Sequence, residues 1–248
     1  MSKVLFLNVT IDSLTMDEAV AVADELVQKR NSSFIVTPNV DHLVLLESNQ
    51  ELRDAYSKAD LVLADGMPIV WLSKYYGGVI KEKISGSDFL PKLCELSARK
   101  GYKMFFLGAA PGVAEKAAAN MQKRYEGLQV VGCLAPDLDF EKDPEKVKMV
   151  NDQIKAAKPD ILAVAFGCPK QELFISNYKD ELKVPVCIGV GASLDFAAGI
   201  KKRAPKWMSN HGLEWFFRMW QEPGRMFKRY VLRDWRLLKL LWKYRHQK

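Results

Sequence analysis

The chain has 248 residues, with 37 Lys and Arg against 30 Asp and Glu, a size that suits one large domain or one domain with an appendage. No run approaches the roughly 18 consecutive apolar residues that a bilayer span needs, and Met1 to Thr10 lacks the basic start of a secretory signal. Cys94, Cys133, Cys168 and Cys187 form no C-x-x-C pair, and His42, His211 and His246 have no ligand spacing; buried, reduced thiols in a cytoplasmic protein are expected, and no zinc site.

In chain order, short β-branched or aromatic runs predict strands over Ser33–Thr37, Leu61–Ala64, Lys103–Leu107, Gln129–Val131, Ile161–Phe166 and Val186–Val190. Helical patterns lie between them, over Met16–Arg30, Val40–Ser48, Glu51–Ser57, Ser87–Arg99, Val113–Tyr125, Pro144–Ala157 and Gln171–Tyr178. Alternation of near-continuous apolar strands with helices predicts an α/β fold, a parallel sheet with helices on both faces. The composition changes near Phe196–Arg203, which divides a body (residues 1–195) from a C-terminal appendage (residues 196–248).

The appendage carries the strongest compositional signal. Residues 201–248 hold 14 basic and 3 acidic residues and five of the six Trp, whereas the first 200 residues hold 23 basic and 27 acidic. Wound as one α-helix, Phe227, Tyr230, Val231, Trp235, Leu238, Leu241 and Trp242 fall within an arc of roughly 140°. Arg225, Lys228, Arg229, Arg233, Arg236, Lys239 and Lys243 fill the opposite arc, and Asp234 interrupts the apolar one. A basic face opposite a Trp/Leu face predicts a helix lying in an anionic membrane interface. The alternative is a helix packed on its own body or on a second subunit. Nucleic acid fits less well, because the aromatics are segregated from the basic residues.

Several predicted strands end in polar or Gly-rich loops, and ligands of open α/β sheets bind at the carboxyl ends of strands. Asp65, between the Leu61–Ala64 strand and Gly66, suits a general base; capping of a helix that starts near Pro68 is the competing role. Gly108-x-x-x-Gly112 follows a strand and could cradle a diphosphate, although it matches neither the dinucleotide fingerprint nor the P-loop. Lys170 could neutralise phosphate, and Gln171 could bond sugar hydroxyls through both ends of its amide; a solvated helix start is the plainer reading. Asp195, after Gly189-x-Gly191, is equally open.

In their order, Thr37-Pro38-Asn39, Asp65-Gly66-Met67-Pro68, Phe106-Leu107-Gly108, Pro169-Lys170-Gln171-Glu172, Lys202-Arg203-Ala204-Pro205, Gly212-Leu213-Glu214-Trp215 and Glu222-Pro223-Gly224-Arg225 resemble the WecG/TagA/CpsF family of bacterial glycosyltransferases. The resemblance implies a Rossmann-like body. It implies an inverting, metal-independent transfer of a sugar, N-acetylmannosamine or a relative, from a UDP-sugar to a polyprenyl-diphosphate-linked sugar at the inner membrane face. It places the catalytic base on Asp65, the sugar pocket on Thr37 and Asn39, an active-site Gln on Gln171, and diphosphate contacts on Arg218, Arg225 and Lys228. Lys83 stands where the family usually has Arg; it keeps the charge and loses the bidentate fork. Implied partners are the donor, the lipid-linked acceptor and an anionic membrane, with no cofactor and no nucleic acid; a homo-oligomer stays open. The rivals are a nucleotide-dependent oxidoreductase, a nucleic-acid-binding module and a non-enzymatic membrane scaffold.

Overall fold

The computed structural model describes residues 2–205, 207–208, 213–221, 223–224 and 234–246, without the side chains of Arg218 and Asp234. Near its start lies an antiparallel hairpin, β1 (Lys3–Phe6) and β2 (Val9–Asp12). No strand is predicted there, because the polar Asn8 and Thr10 break up a very short apolar run.

Helix α1 (Met16–Lys29) starts with a reciprocal capping box: Glu18 N–H donates to Thr15 Oγ1, and Thr15 N–H donates to Glu18 Oε2. The parallel sheet follows, built from β3 (Ser33–Val36), β4 (Leu61–Val62), β5 (Lys103–Gly108), β6 (Gln129–Leu134), β7 (Ile161–Ala165) and β8 (Val186–Gly189), in the order β4-β3-β8-β7-β5-β6. Register is set by pairs such as Ile35 with Ile188 and Phe105 with Leu162. All six predicted strands exist, and the α/β class with a parallel sheet holds.

The crossovers are α2 (Val40–Ser48), α3 (Gln50–Ser57), α4 (Met67–Tyr75), α5 (Gly86–Lys100), α6 (Val113–Arg124), α7 (Pro144–Ala157), α8 (Lys170–Leu182) and α9 (Ser193–Ala197). Strand residues alternate between two cores. Phe34, Val36, Phe105, Leu107, Leu162 and Val164 pack with α2, α3, α7 and α8. Ile35, Met104, Phe106, Ile161 and Ala163 pack with α1, α5, α6 and α9. This is the period-2 pattern of strands covered on both faces. Helix α8 runs past its predicted end at Tyr178 because Leu182 is buried against the first core. Cys94, Cys133 and Cys187 are unbridged, and burial pushes their thiols up to about 12, 11 and 12.

Edge strand β4 is only two residues long. Its outer side is covered by the hairpin, where the buried Asp12 accepts a bond from Val62 N–H at 2.9 Å, so the edge offers little to a foreign strand.

In the appendage the structure describes α10 (Glu214–Gln221), a 3₁₀ turn at Asp234–Arg236 and α11 (Leu237–Lys243). Of the amphipathic helix expected through this region, only the part from Asp234 onward falls within the described residues. A 3₁₀ turn precedes α11, and the expected apolar arc is divided. Leu241 packs against the body, together with Leu237 and the buried Leu240, while Trp235, Leu238 and Trp242 are exposed. The Tyr76 hydroxyl donates to Leu241 O at 2.8 Å, and Lys243 pairs with Glu47 on α2. Phe227, Tyr230, Val231 and the basic residues 225–233 lie outside the described residues. No helix among the described residues is long and apolar enough to cross a membrane.

Candidate active site

Three chain segments run side by side past the carboxyl end of the sheet. Leu63 N–H donates to Val36 O at 2.9 Å and Asp65 N–H to Pro38 O at 2.8 Å, which holds Asp65 beside the Thr37–Asn39 segment. Ile84 N–H donates to Ala64 O at 2.8 Å, bringing Lys83 to the other flank. Asp65 is half-buried, and the cap position of α4 is Gly66, with φ of 123°, rather than Asp65. The capping role weighed against catalysis therefore belongs to the next residue.

Thr37 is buried at the end of β3. A Cβ on Gly86 would stand 3.4 Å from both Thr37 Oγ1 and Ser193 Oγ, so the start of α5 sits directly against the ends of β3 and β8. Asn39 Oδ1 accepts from the N–H groups of Asp41 and His42 at 3.0 and 3.4 Å and caps α2.

Lys83, with 12% of its side chain exposed, pairs with Asp88 at 3.0 Å and lies 3.9 Å from Glu214 on α10. Arg203 also pairs with Asp88. Burial raises the Asp88 carboxyl, but hydrogen bonds from Ser85 and Arg203 and the nearby Lys83 charge outweigh it and hold the group down at about 2. Among the described residues Lys83 and Arg203 share Asp88, and Glu214 stands beside Lys83. Neither Asp88 nor Glu214 was singled out in the sequence as a site residue: Asp88 follows Lys83 by five residues at a helix start, but only the fold brings Arg203 and Glu214 to the same cluster.

Gln171 is buried where the loops after β7 and β8 meet. Its Oε1 accepts from Gly167 N–H at 3.2 Å and Gly191 N–H at 3.0 Å, and its Nε2 donates to Glu172 Oε1 at 2.8 Å. Both ends of the amide bond within the protein and tie the β7 and β8 loops together, and a second Nε2 hydrogen lies beyond these bonds. The close fit extends to Gly189, where a Cβ would stand 2.6 Å from Gln171 Nε2. Burial pushes the Glu172 carboxyl up to about 6 against the hydrogen bonds from Gln171 and Cys168. Asp195, on α9, faces Lys201 at 3.6 Å.

Gly108 has φ of 101°, and a Cβ there would meet Ala165 backbone atoms at 2.9 Å, so only Gly lets β5 leave the sheet at this point. Gly112, with φ of 79°, caps α6. The turn between them lines a cavity of about 900 Å³, walled by Phe140, Phe166, Phe174 and Tyr178. Lys170 stands at that cavity and pairs with Asp139 and Glu141. A second cavity of about 1130 Å³ runs along α5, with Met67 and Val70 on one side and Lys83, Lys92, Arg124 and Arg203 among its cations. Arg218 lies on α10 but its side chain is outside the described residues, as are Arg225 and Lys228 altogether.

The profile described as "Glycosyl transferase WecG/TagA/CpsF family" matches residues 4–248. The chain belongs to this family. This glycosyltransferase is similar to the N-acetylglucosaminyldiphosphoundecaprenol N-acetyl-beta-D-mannosaminyltransferase of Bacillus spizizenii, at 32% identity over 79% of this chain and 74% of the relative. It is similar to the proteins of the same description from Bacillus subtilis, at 29% identity over 80% and 75%, and from Staphylococcus aureus, at 29% over 91% and 88%.

Proposed function

We propose that this glycosyltransferase moves N-acetylmannosamine, or a closely related sugar, from a UDP-sugar to N-acetylglucosamine on a polyprenyl diphosphate, in assembly of a cell-wall polymer such as teichoic acid. The names of its relatives supply the sugar and the acceptor. The observation that carries the mechanism is the half-buried Asp65 at the end of β4, held between Thr37–Asn39 and Lys83 and not serving as the α4 cap.

On this reading the Asp65 carboxylate takes the proton of the acceptor hydroxyl as that oxygen bonds to the anomeric carbon. The bond from that carbon to the UDP oxygen breaks on the opposite face, so one displacement inverts the centre. UDP leaves with its electron pair, and the developing charge is met by cations, not by a metal: Lys83, freed from Asp88 or Glu214, and Arg218, Arg225 and Lys228 of the appendage. The cavity beside Gly108–Gly112 suits the nucleoside, because Phe140, Phe166, Phe174 and Tyr178 give it aromatic walls for a base. The cavity along α5, lined by Lys81, Lys83, Lys92, Arg124 and Arg203 against Glu82, Asp88 and Glu95, suits the acceptor diphosphate. The protein sits peripherally on the inner membrane face, where Trp207, Trp215, Phe216, Trp220, Trp235 and Trp242, all exposed, meet the lipid interface.

The test is UDP release from UDP-N-acetylmannosamine with and without a short-chain polyprenyl-diphosphate N-acetylglucosamine. Acceptor-dependent release is expected, and Asp65→Asn lowers it by roughly 10²–10⁴-fold. Wild-type turnover in that variant would remove Asp65 from the role of base.

A further inference from the structure

His42 in the first turn of α2, Cys168 in the turn after β7, and Glu172 in the first turn of α8 each place one ligand-type atom within 4.8 Å of the others. His42 and Glu172 are buried, at 6% and 1% exposure. Glu172 Oε1 is satisfied by Gln171 and the Cys168 thiol leans on the same carboxylate, while Glu172 Oε2 is buried with no donor at hydrogen-bond geometry among the described residues. A buried carboxylate oxygen without a donor is costly, and a cation would satisfy it. The sequence conceals this cluster because its members come from three separate elements.

We propose that His42, Cys168 and Glu172 bind one thiophilic divalent cation of the Zn²⁺ class. A nitrogen, a sulfur and a carboxylate oxygen together suit Zn²⁺, whereas Mg²⁺ and Ca²⁺ demand oxygen donors. Zn–S near 2.3 Å and Zn–N near 2.0 Å put tetrahedral ligand atoms about 3.5 Å apart, so small side-chain rotations close the site. An outer partner is in place: His42 Nδ1 lies 2.9 Å from the hydroxyl of the buried Tyr56. With Nδ1–H donating to that oxygen, Nε2 carries the lone pair, the arrangement that orients histidine ligands in metal sites. The bound cation joins the α2 start, behind Asn39, to the Gly167–Glu172 turn, behind Gln171. It stiffens two walls of the crevice and takes no part in leaving-group departure. The site stands independently of the sugar-transfer reading, since its readout needs no substrate.

The experiment uses the full chain, purified with reductant, stripped with a chelator and titrated with Co²⁺. One equivalent is expected to produce a thiolate-to-cobalt charge-transfer band in the near ultraviolet that Zn²⁺ abolishes. Zn²⁺, and not Mg²⁺, is expected to raise Tm. Cys168→Ser, His42→Gln and Glu172→Gln lose the band, Cys133→Ser keeps it, and Tyr56→Phe weakens Co²⁺ binding by roughly 10-fold or more. In the unaltered protein Zn²⁺ is expected to protect Cys168, and not Cys133, from alkylation read by mass spectrometry, which serves should a variant fail to fold. No band in the folded wild type, a band that survives Cys168→Ser, or alkylation of Cys168 unaffected by Zn²⁺ would overturn the proposal.

Discussion

Asp88 and Gln171 show how single residues shape this site without standing at its centre. The Asp88 carboxyl is held down at about 2, below the ordinary value near 3.9. A depressed carboxylate contributes stability that is present above its unfolded value and lost as pH falls through its folded one. Asp88→Asn is therefore expected to cost on the order of 2 kcal/mol at neutral pH and almost nothing at pH 2. Thermal unfolding of both proteins between about pH 5 and pH 2 checks this: their Tm values should converge as the pH drops. Gln171→Ala would strip the acceptor from two glycine N–H groups, at a cost of roughly 1–3 kcal/mol each where they stay dry. It should lower Tm and kcat together, whereas loss of a simple sugar contact would raise KM at unchanged Tm; chemical denaturation beside kinetics separates the two. The sequence flagged Gln171 through its motif but not what the amide does, because its partners, Gly167 and Gly191, end different strands.

At the level of elements, turns and helix faces decide which parts of the chain are fixed. Gly108 combines φ of 101° with a backbone neighbour 2.9 Å from any Cβ, so Gly108→Ala should destabilise by about 2 kcal/mol or more, measured by urea unfolding. Helix α11 offers a sharper contrast. Leu240 is 5% exposed and Leu238 67%. Leu240→Ala should cost about 2–3 kcal/mol, while Leu238→Ala should change stability by no more than about 0.5 kcal/mol. Equal losses would mean that α11 packs in another orientation. Helix periodicity put Leu238 on the apolar arc and left Leu240 off it; in the fold the body-facing side of this helix is the one that carries Leu237, Leu240 and Leu241, a choice that depends on what the helix packs against. The same limit hid α4: its Trp71 and Tyr75 are exposed while Ile69 and Val70 are buried, so its apolar residues do not form one stripe.

For the molecule as a whole, charge segregation is the dominant feature. Basic and aromatic residues concentrate in the appendage, and α10, the 3₁₀ turn and α11 leave Trp215, Phe216, Trp220, Trp235 and Trp242 exposed. On the proposed reading these residues enter the lipid interface while Lys239 and Arg245 meet anionic headgroups, each cation contributing on the order of 1 kcal/mol. Cosedimentation should show binding to vesicles containing phosphatidylglycerol and little binding to phosphatidylcholine alone. Added salt should weaken it, and Trp235→Ser with Trp242→Ser should reduce the bound fraction without lowering Tm. Equal binding to both vesicle types would leave the charge of the appendage without a lipid role.

What the sequence determined by itself were the features that repeat or accumulate along the chain: the β-strand and helix alternation, the two-sided burial of the strands, the ordered family motifs and the basic C-terminal stretch. These are local quantities, summed over neighbours, and need no knowledge of where a segment ends up. Tertiary structure alone decided that Asp88 and Glu214 offset Lys83, that Gln171 faces inward, that Asp12 covers the β4 edge, and that His42 meets Cys168 and Glu172. Each joins side chains from elements distant in the chain, and a parallel sheet, whose crossovers carry every strand end to the same side, creates such meetings without leaving a spacing in the sequence.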